Sequence, residues 1–261
     1  MSYADYLETS TRIPAVQFSE VESRRIGLRV GRLTCGPGTN WAAFDPVSTI
    51  ASAEVDFVIM RYPAEQYSIA ETLQVSSLTS CIADTLIYLE ANVQKVPKPP
   101  GFFSLLACET VDSRVARLIA AIFSHYSNHY SASSIFSEVD IAESYADWTR
   151  HQLQRSTGEC WILQDSSGHA AALGVLDTTS PSSNEITLIG VEPSFRSSGV
   201  FAELLGHLAE VTGNSGKTQL ITSTQAANIA SLRGLSKAGF LPILSLNTLH
   251  ISKPGAVRRA K

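Results

Sequence analysis

The stretch Ile186–Phe201, ITLIGVEPSFRSSGVF, limits what this chain can fold into more than any other. Ile186, Leu188 and Gly190 alternate with Thr187, Ile189 and Val191, a period of two that suits a strand, and Pro193 cannot donate to a ladder and helps to end it. From Gly199 onward Phe201, Leu204, Leu205, Leu208 and Val211 recur at helical spacing, so an amphipathic helix follows and stops near Gly213. The first turn of such a helix leaves several N–H groups without intrahelical partners, and its macrodipole adds about half a positive charge there. Gly199 has no Cβ to keep an anion from the backbone, and Arg196 brings a permanent charge to the rim. A strand that feeds such a cradle is a place to hold a pyrophosphate.

A second strand and helix lie downstream. Thr218–Thr222 reads as a strand, Asn228 precedes helical spacing through Leu232 and Leu235, and Gly239 ends the helix. The spacing Arg-x-x-Gly-x-(Gly/Ala), set within VEPSFRSSGVFAELL, resembles the acyl-CoA pyrophosphate loop of the GNAT family of N-acyltransferases, and NIASLRGLSKAGF resembles that family's second signature. The resemblance implies an α+β GNAT fold over residues 103 to 253, with a mixed, mostly antiparallel sheet flanked by helices. It also implies acetyl-CoA or another acyl-CoA as co-substrate. Arg196, Ser197, Ser198, Gly199, Val200 and Phe201 would hold the diphosphate, while pantetheine would enter between two splayed strands and pair with Ile189, Gly190 and Val191. The N–H groups of Gly190 and Val191 are the expected donors to the thioester oxygen, and Asn228 either bonds the cofactor or backbone or caps its helix. Two positions depart from the family pattern. Phe201 stands where Gly or Ala is commonest, and Leu235 stands where many members carry the tyrosine that protonates the leaving thiolate.

The 261 residues, 44% of them apolar, can bury a substantial core as one large domain or two small ones. No run of about 18 uncharged apolar residues occurs, and MSYADYLETSTR lacks the basic-then-apolar pattern of a signal peptide, so a cytoplasmic protein without membrane contact is expected. Cys35, Cys81, Cys108 and Cys160 form no CxxC pair or Cys/His cluster; core thiols are expected, with no disulfide framework and no metal site. A net charge of −4 without long basic blocks argues against nucleic-acid binding, and the terminal RRAK reads as a solvated tail.

QKVPKPPG, Gln94 to Gly101, interrupts the patterned sequence and divides the chain into an N-terminal α/β domain of structural or acceptor-site role (1–95), a linker (96–102) and the GNAT domain (103–261). GLRVGRLTC, DFVIMRYP and DTLIYLEANV read as strands and AEQYSIAETLQV as a helix of the smaller half. ECWILQD and HAAALGVLDTT read as a hairpin across Ser166 to Gly168, and a strand pair is expected around ILSLNTLHIS. The N-terminal segments and FSHYSNHYSASSIFSEVDIAESYADW are similar to the GNAT branch that N-acylates nucleotide-linked amino sugars, including dTDP-fucosamine acetyltransferases.

That similarity implies a dTDP- or UDP-linked amino sugar as acceptor and places His129 and Tyr130 near it, His129 as base or acceptor anchor and Tyr130 as acid or sugar contact. An exposed polar loop is the alternative for both. Tyr145 and Trp148 share a helix face with Ile141, which suits core packing as well as contact with a nucleotide base; His250 within TLHIS suits a buried structural role as well as a substrate contact. Glu185 and Lys237 are weaker candidates, for activating a water and for reaching a CoA phosphate. A longer acyl donor such as hydroxybutanoyl-CoA, a protein or peptide amine as acceptor, and a binding module with little transfer stay open, and a homodimer is compatible with the sequence.

Overall fold

The computed structural model describes residues 3–8, 13–124, 126–137 and 139–255; the RRAK tail lies outside them. The elements in chain order are α1 (Tyr3–Glu8), β1 (Gln17–Phe18), α2 (Glu20–Ile26), β2 (Val30–Thr34), α3 (Pro46–Ser52), β3 (Phe57–Pro63), α4 (Ser68–Gln74), β4 (Thr79–Asn92) and β5 (Ser104–Cys108). Then come α5 (Ser113–Phe123), α6 (Ile141–Leu153), β6 (Gly158–Gln164), β7 (Ala170–Asp177), β8 (Ser183–Val191), α7 (Val200–Asn214), β9 (Gln219–Gln225), α8 (Ile229–Lys237) and β10 (Leu241–Ser252). Aspartates start several helices: Asp45 accepts from the N–H groups of Val47 and Ser48, Asp112 from Arg114 and Val115, and Asp140 from Glu143.

The ten strands form one sheet in the order β1-β2-β3-β10-β4-β9-β8-β7-β6-β5. Only β2 with β3 and β8 with β9 pair in parallel among the described residues. The hairpin of β6 and β7 turns at Gly168, whose φ of 84° suits a residue without a Cβ. One expectation is corrected: the strand pair around ILSLNTLHIS is a single twelve-residue strand, because β10 runs on through a bulge near Pro242 instead of turning back. β10 lies between β3 and β4, two strands of the N-terminal half, and completes the ladder of each. Residues 96–102 do not hang free; a Cβ added at Gly206 on α7 would lie 2.8 Å from the carbonyl oxygen of Pro97.

Both faces of the sheet are covered. Leu204, Leu205 and Leu208 of α7 pack on Ala172 and Leu176 of β7 and on Leu220 of β9. On the other face Val115, Leu118, Ile119 and Ile122 of α5 pack on Ile162, Leu173 and Leu188. Beyond α5 the chain crosses this same face, with Tyr130 and Phe136 set against Phe57 and Ile59 at its far side.

Because β10 supplies the inner partner of both β3 and β4, a fragment of residues 1–102 is expected to show no cooperative thermal unfolding by circular dichroism. A sharp two-state transition in that fragment would show that the N-terminal half holds its own core.

Candidate functional site

β8 and β9 run side by side only from Ser183 and Gln219 to Ile186 and Thr222, and then they part. Two features accompany the branch point. The ladder between β7 and β8 shifts register between Val175 and Leu176, which bends β8, and the Thr222 hydroxyl donates to the Ile186 carbonyl at 3.0 Å, where the next ladder bond would have been. Past the branch β9 stays with β4 and β8 stays with β7. The terminal part of β8 therefore has one neighbour and an open edge.

Antiparallel alternation settles which groups face that edge. The Glu192 N–H donates to Ala171 at 2.9 Å, and Gly190 is opposite Leu173, so Gly190 turns its N–H and C=O toward β7, while Ile189 and Val191 turn theirs toward the gap. The expectation that the Gly190 N–H serves the thioester oxygen is corrected on this ground, and Val191 and Ile189 hold the available donors. Gly190 has a different importance: a Cβ there would lie 2.3 Å from Ile122 Cγ2 and 3.3 Å from Phe123, so the end of α5 presses on the strand at a point only glycine permits.

The loop after β8 has the backbone of an anion cradle. Ser197 has φ 64°, unique for a non-glycine among the described residues, and Gly199 follows in the left-handed region at φ 89°. Gly199 is the N-cap of α7 and no side chain caps that helix, so the first-turn N–H groups open to solvent beside a glycine at which a Cβ would touch nothing. Ser198 turns its hydroxyl inward to the Phe195 carbonyl at 2.6 Å. The exposed Arg196 folds over the gap and donates to the carbonyls of Val191 and Ile122, both at 3.3 Å, joining β8 to the end of α5. Val200 is buried, and Phe201 turns away from the loop to rest on Gly234 of α8, where a Cβ would come within 2.7 Å of the ring. The bulky residue at the usual small position is accommodated by a glycine on the next helix.

Asn228 caps α8, its side chain accepting from the Ser231 N–H at 3.2 Å, and the Tyr126 phenol lies near it. Leu235 is buried in the α7–α8 core. Tyr126 went unnoticed in the sequence because it falls past the end of α5, outside any periodic pattern. Its ring packs on Phe123, which neighbours Gly190, so the phenol stands across the gap between the end of α5 and the start of α8. Burial raises its pKa, the nearby Asn228 side chain opposes the rise, and the Asp84 charge adds to it. The phenol is thus protonated at neutral pH.

His129 and His250 meet on the far side of the crossing chain, Nδ1 of the first 3.0 Å from Nε2 of the second. Burial pushes the His129 pKa well below the usual imidazole range, and the charges of Arg61, His250, Arg32 and Arg25 push it the same way; His250 is lowered to about 4, chiefly by burial. Both rings are neutral at physiological pH. Tyr130 is buried and donates to Glu22, with oxygens at 2.7 and 2.8 Å, and burial and that carboxylate raise its pKa strongly. Its proton is held within a cluster in which Arg32 and Arg25 also pair with Glu22. Tyr145 packs on Phe123 with ring centroids 4.4 Å apart and its hydroxyl accepts from Asn128 at 3.2 Å, whereas Trp148 packs into the α5–α6 core.

Other candidates lie elsewhere. Glu185 is buried at the paired end of β8, next to the last paired residue Ile186, and accepts from the Tyr3 N–H. It borders the larger cavity, about 240 Å³, which Glu90, Asp177 and several serines line at the opposite end of the strands from the α7 cradle. Lys237 is exposed at the end of α8. Among the described residues no three His, Cys, Asp or Glu side chains cluster as metal ligands, and no helix is long and apolar enough to cross a membrane.

Known proteins resemble this arrangement at low identity. No family model matches the chain. The spore coat polysaccharide biosynthesis protein SpsD of Bacillus subtilis (strain 168) is 25% identical over 199 residues, 76% of this chain and 67% of SpsD. A functionally unknown conserved protein from Staphylococcus epidermidis ATCC 12228 superposes with a TM-score of 0.62 at 10% identity, covering 97% of each chain. A GCN5-related N-acetyltransferase from Sphaerobacter thermophilus superposes with a TM-score of 0.58 at 14% identity, over 93% of this chain and 77% of that one. The mixed sheet with flanking helices is the GNAT fold.

Two stability measurements check this geometry. Gly190→Ala is expected to cost about 1–3 kcal/mol in urea unfolding, and Ile122→Ala combined with it to cost less than the sum of the two single changes; strict additivity would contradict the contact. The histidine pair predicts a pH dependence. The folded-state pKa values lie below the unfolded value of about 6.5, so stability is intact above pH 6.5 and is lost as pH falls toward about 4, where the unfolded chain takes up protons that the folded one refuses. His250→Gln is expected to flatten this loss by up to about 3 kcal/mol, and an unchanged slope would contradict it.

Proposed function

We propose that the protein is an N-acyltransferase that moves an acyl group, most simply acetyl, from acyl-CoA to the amine of a nucleotide-linked deoxyamino sugar. The observation that carries the proposal is the open edge of β8 leading directly to the uncapped start of α7. An extended pantetheine arm has amides that complete a strand edge, and a diphosphate has the charge that an N-terminal turn attracts. Polar backbone left unpaired in this way is otherwise costly. The GNAT fold supports the reaction class, and the polysaccharide-related name of SpsD supports a sugar acceptor.

In this reading the cofactor is held by Ile189 and Val191 along the strand and by the backbone of Ser197, Gly199, Val200 and Phe201 at the loop. Arg196 closes over the gap, and Asn228 keeps its place at the head of α8. The acceptor amine attacks the thioester carbonyl after losing a proton, and the Val191 N–H receives the developing oxyanion. Tyr126, protonated and close to Asn228, donates to the departing thiolate in the role that buried Leu235 has no group to fill. His129, neutral and beside His250, belongs to the acceptor side with Tyr145. Trp148 is assigned to packing and Tyr130 to holding Glu22. The acyl chain length is left open, because the loop grips only what all acyl-CoA donors share.

Thiol release is expected when acetyl-CoA is mixed with the protein and a panel of dTDP- and UDP-linked amino sugars, with one acceptor preferred; CoA binding without release from any amine would favour a binding module instead. Gly199→Asp, which puts a carboxylate at the α7 start, is expected to weaken acetyl-CoA at least tenfold, and tenfold more than Gly199→Asn, which carries the same backbone strain at φ 89° without the charge. Tyr126→Phe is expected to lower kcat at least tenfold and leave the dissociation constant of acetyl-CoA within a factor of three, and wild-type kcat would remove Tyr126 from the mechanism.

A further inference from the structure

The sheet face over which His129, Tyr130 and Phe136 lie collects polar atoms that have no partner. Paired residues place Arg61 opposite Thr248, and Thr248 opposite Asp84, in one row across β3, β10 and β4. Arg32 joins them from β2, where it is opposite Ile59, and His250 joins from the other side of that same Ile59. Nine buried side-chain nitrogen or oxygen atoms lack a hydrogen-bond partner among the described residues, and five of them belong to this set: Arg32 Nε, Arg61 Nε, Asp84 Oδ1, Thr248 Oγ1 and His250 Nδ1. A concentration of this kind on one face points to a missing ligand, since buried polar groups are otherwise bonded.

The charges are ordered as well as unpaired. Glu22 compensates Arg32, but Arg61 has no carboxylate within ion-pair distance among the described residues. Arg32, Thr34, Ile59, Arg61 and His129 line a cavity of about 30 Å³, room for one or two small polar groups. Asp84 lies toward the gap: its Oδ2 accepts from Gln225 at 3.1 Å, and Gln225 ends the strand that diverges from β8. Going away from the gap, a carboxylate comes first, then two guanidinium groups. Two strand spacings of about 4.8 Å separate the strands of Asp84 and Arg61, so their backbone positions are about 10 Å apart along the row.

We propose that this face is the acceptor site, with Asp84 receiving the acceptor's ammonium beside the thioester and Arg61 and Arg32 receiving its phosphate. The assignment rests on the acyltransferase reading and makes it narrower. The acceptor must carry an anion at one end and an amine at the other, separated by about one sugar ring. A bidentate guanidinium suits a phosphate ester or diphosphate, and Thr248 and His250 between the poles offer hydrogen bonds to a polar ring. Amines without an anion, including lysine side chains, would leave the buried Nε of Arg61 without a partner, so they should be poor acceptors.

Calorimetric titrations of the full chain, saturated with CoA so that the α7 cradle is filled, test this with UDP-glucosamine, UDP-glucose and free glucosamine. Wild type is expected to bind UDP-glucosamine at least tenfold tighter than UDP-glucose. Arg61→Gln is expected to weaken both at least tenfold, with Arg61→Lys intermediate and all variants matched in melting temperature. Asp84→Asn is expected to remove the difference between the two nucleotide sugars. Equal affinity of wild type and Arg61→Gln for UDP-glucose would overturn the proposal, as would absence of binding to wild type. Thiol release from acetyl-CoA in parallel samples separates the two claims. Turnover of an amino-sugar nucleotide that Arg61→Gln leaves intact would remove the anion site and keep the acyltransferase; the expected binding pattern with no turnover of any amine would keep the site and remove the transfer.

Discussion

Two parallel strands that part after four residues govern the rest of this molecule. A parted pair exposes backbone on both strands, and each must be held by its outer neighbour. β9 is held by β4, and β8 by β7 together with the end of α5, whose Ile122 occupies the space above Gly190. Thr222 satisfies the last carbonyl at the branch, and the bulge near Leu188 turns β8 away. The gap is therefore built by packing on both sides, and it is open where Ile189 and Val191 face it. The loop that follows extends the same logic. The turn between β8 and α7 uses its own N–H groups internally and on β7, and its left-handed residues at Ser197 and Gly199 lead from the strand edge to the uncapped start of α7.

The N-terminal half contributes surface to this site through the sheet itself. β10 begins just after α8 and runs between β3 and β4, so residues from both halves share one face. Arg61 and Asp84 come from consecutive strands that Thr248, from the far end of the chain, separates, and the crossing segment with His129 and Tyr130 lies over this face. This continuity explains how a half without a phosphate loop of its own could serve an acceptor. It also explains why burial depresses the histidines: His129 of the crossing chain meets His250 of the sheet between the two layers, near several guanidinium groups.

Much of the fold was legible in the residues. The period-two and helical runs give β2 to β4, β6 to β9, α4, α7 and α8, β10 was expected as a strand pair, and the resemblance carried by Arg196 to Phe201 anticipated both the GNAT fold and the divergence at β8. Short α1, α2 and α3 escaped because each is six or seven residues long, too short for a period to declare itself. The strand pairings that make the polar face could not be read, since register between distant strands leaves no local mark. Arg61 and Asp84 look like ordinary strand charges until β10 is placed between them. Phe201 was visible as a departure, but its partner Gly234 was not, because that contact forms across two helices.

The central claim is that the exposed edge of β8 and the start of α7 form a single acyl-CoA site. Residue-resolved amide hydrogen exchange with and without CoA tests it most directly. Slowed exchange is predicted at Ile189 and Val191 and at the first-turn amides after Gly199, with Gly190 already slow in the free protein because it pairs with β7. Unchanged exchange at these amides in the presence of bound CoA, or new protection confined to the cavity beside Glu90 and Asp177, would contradict it.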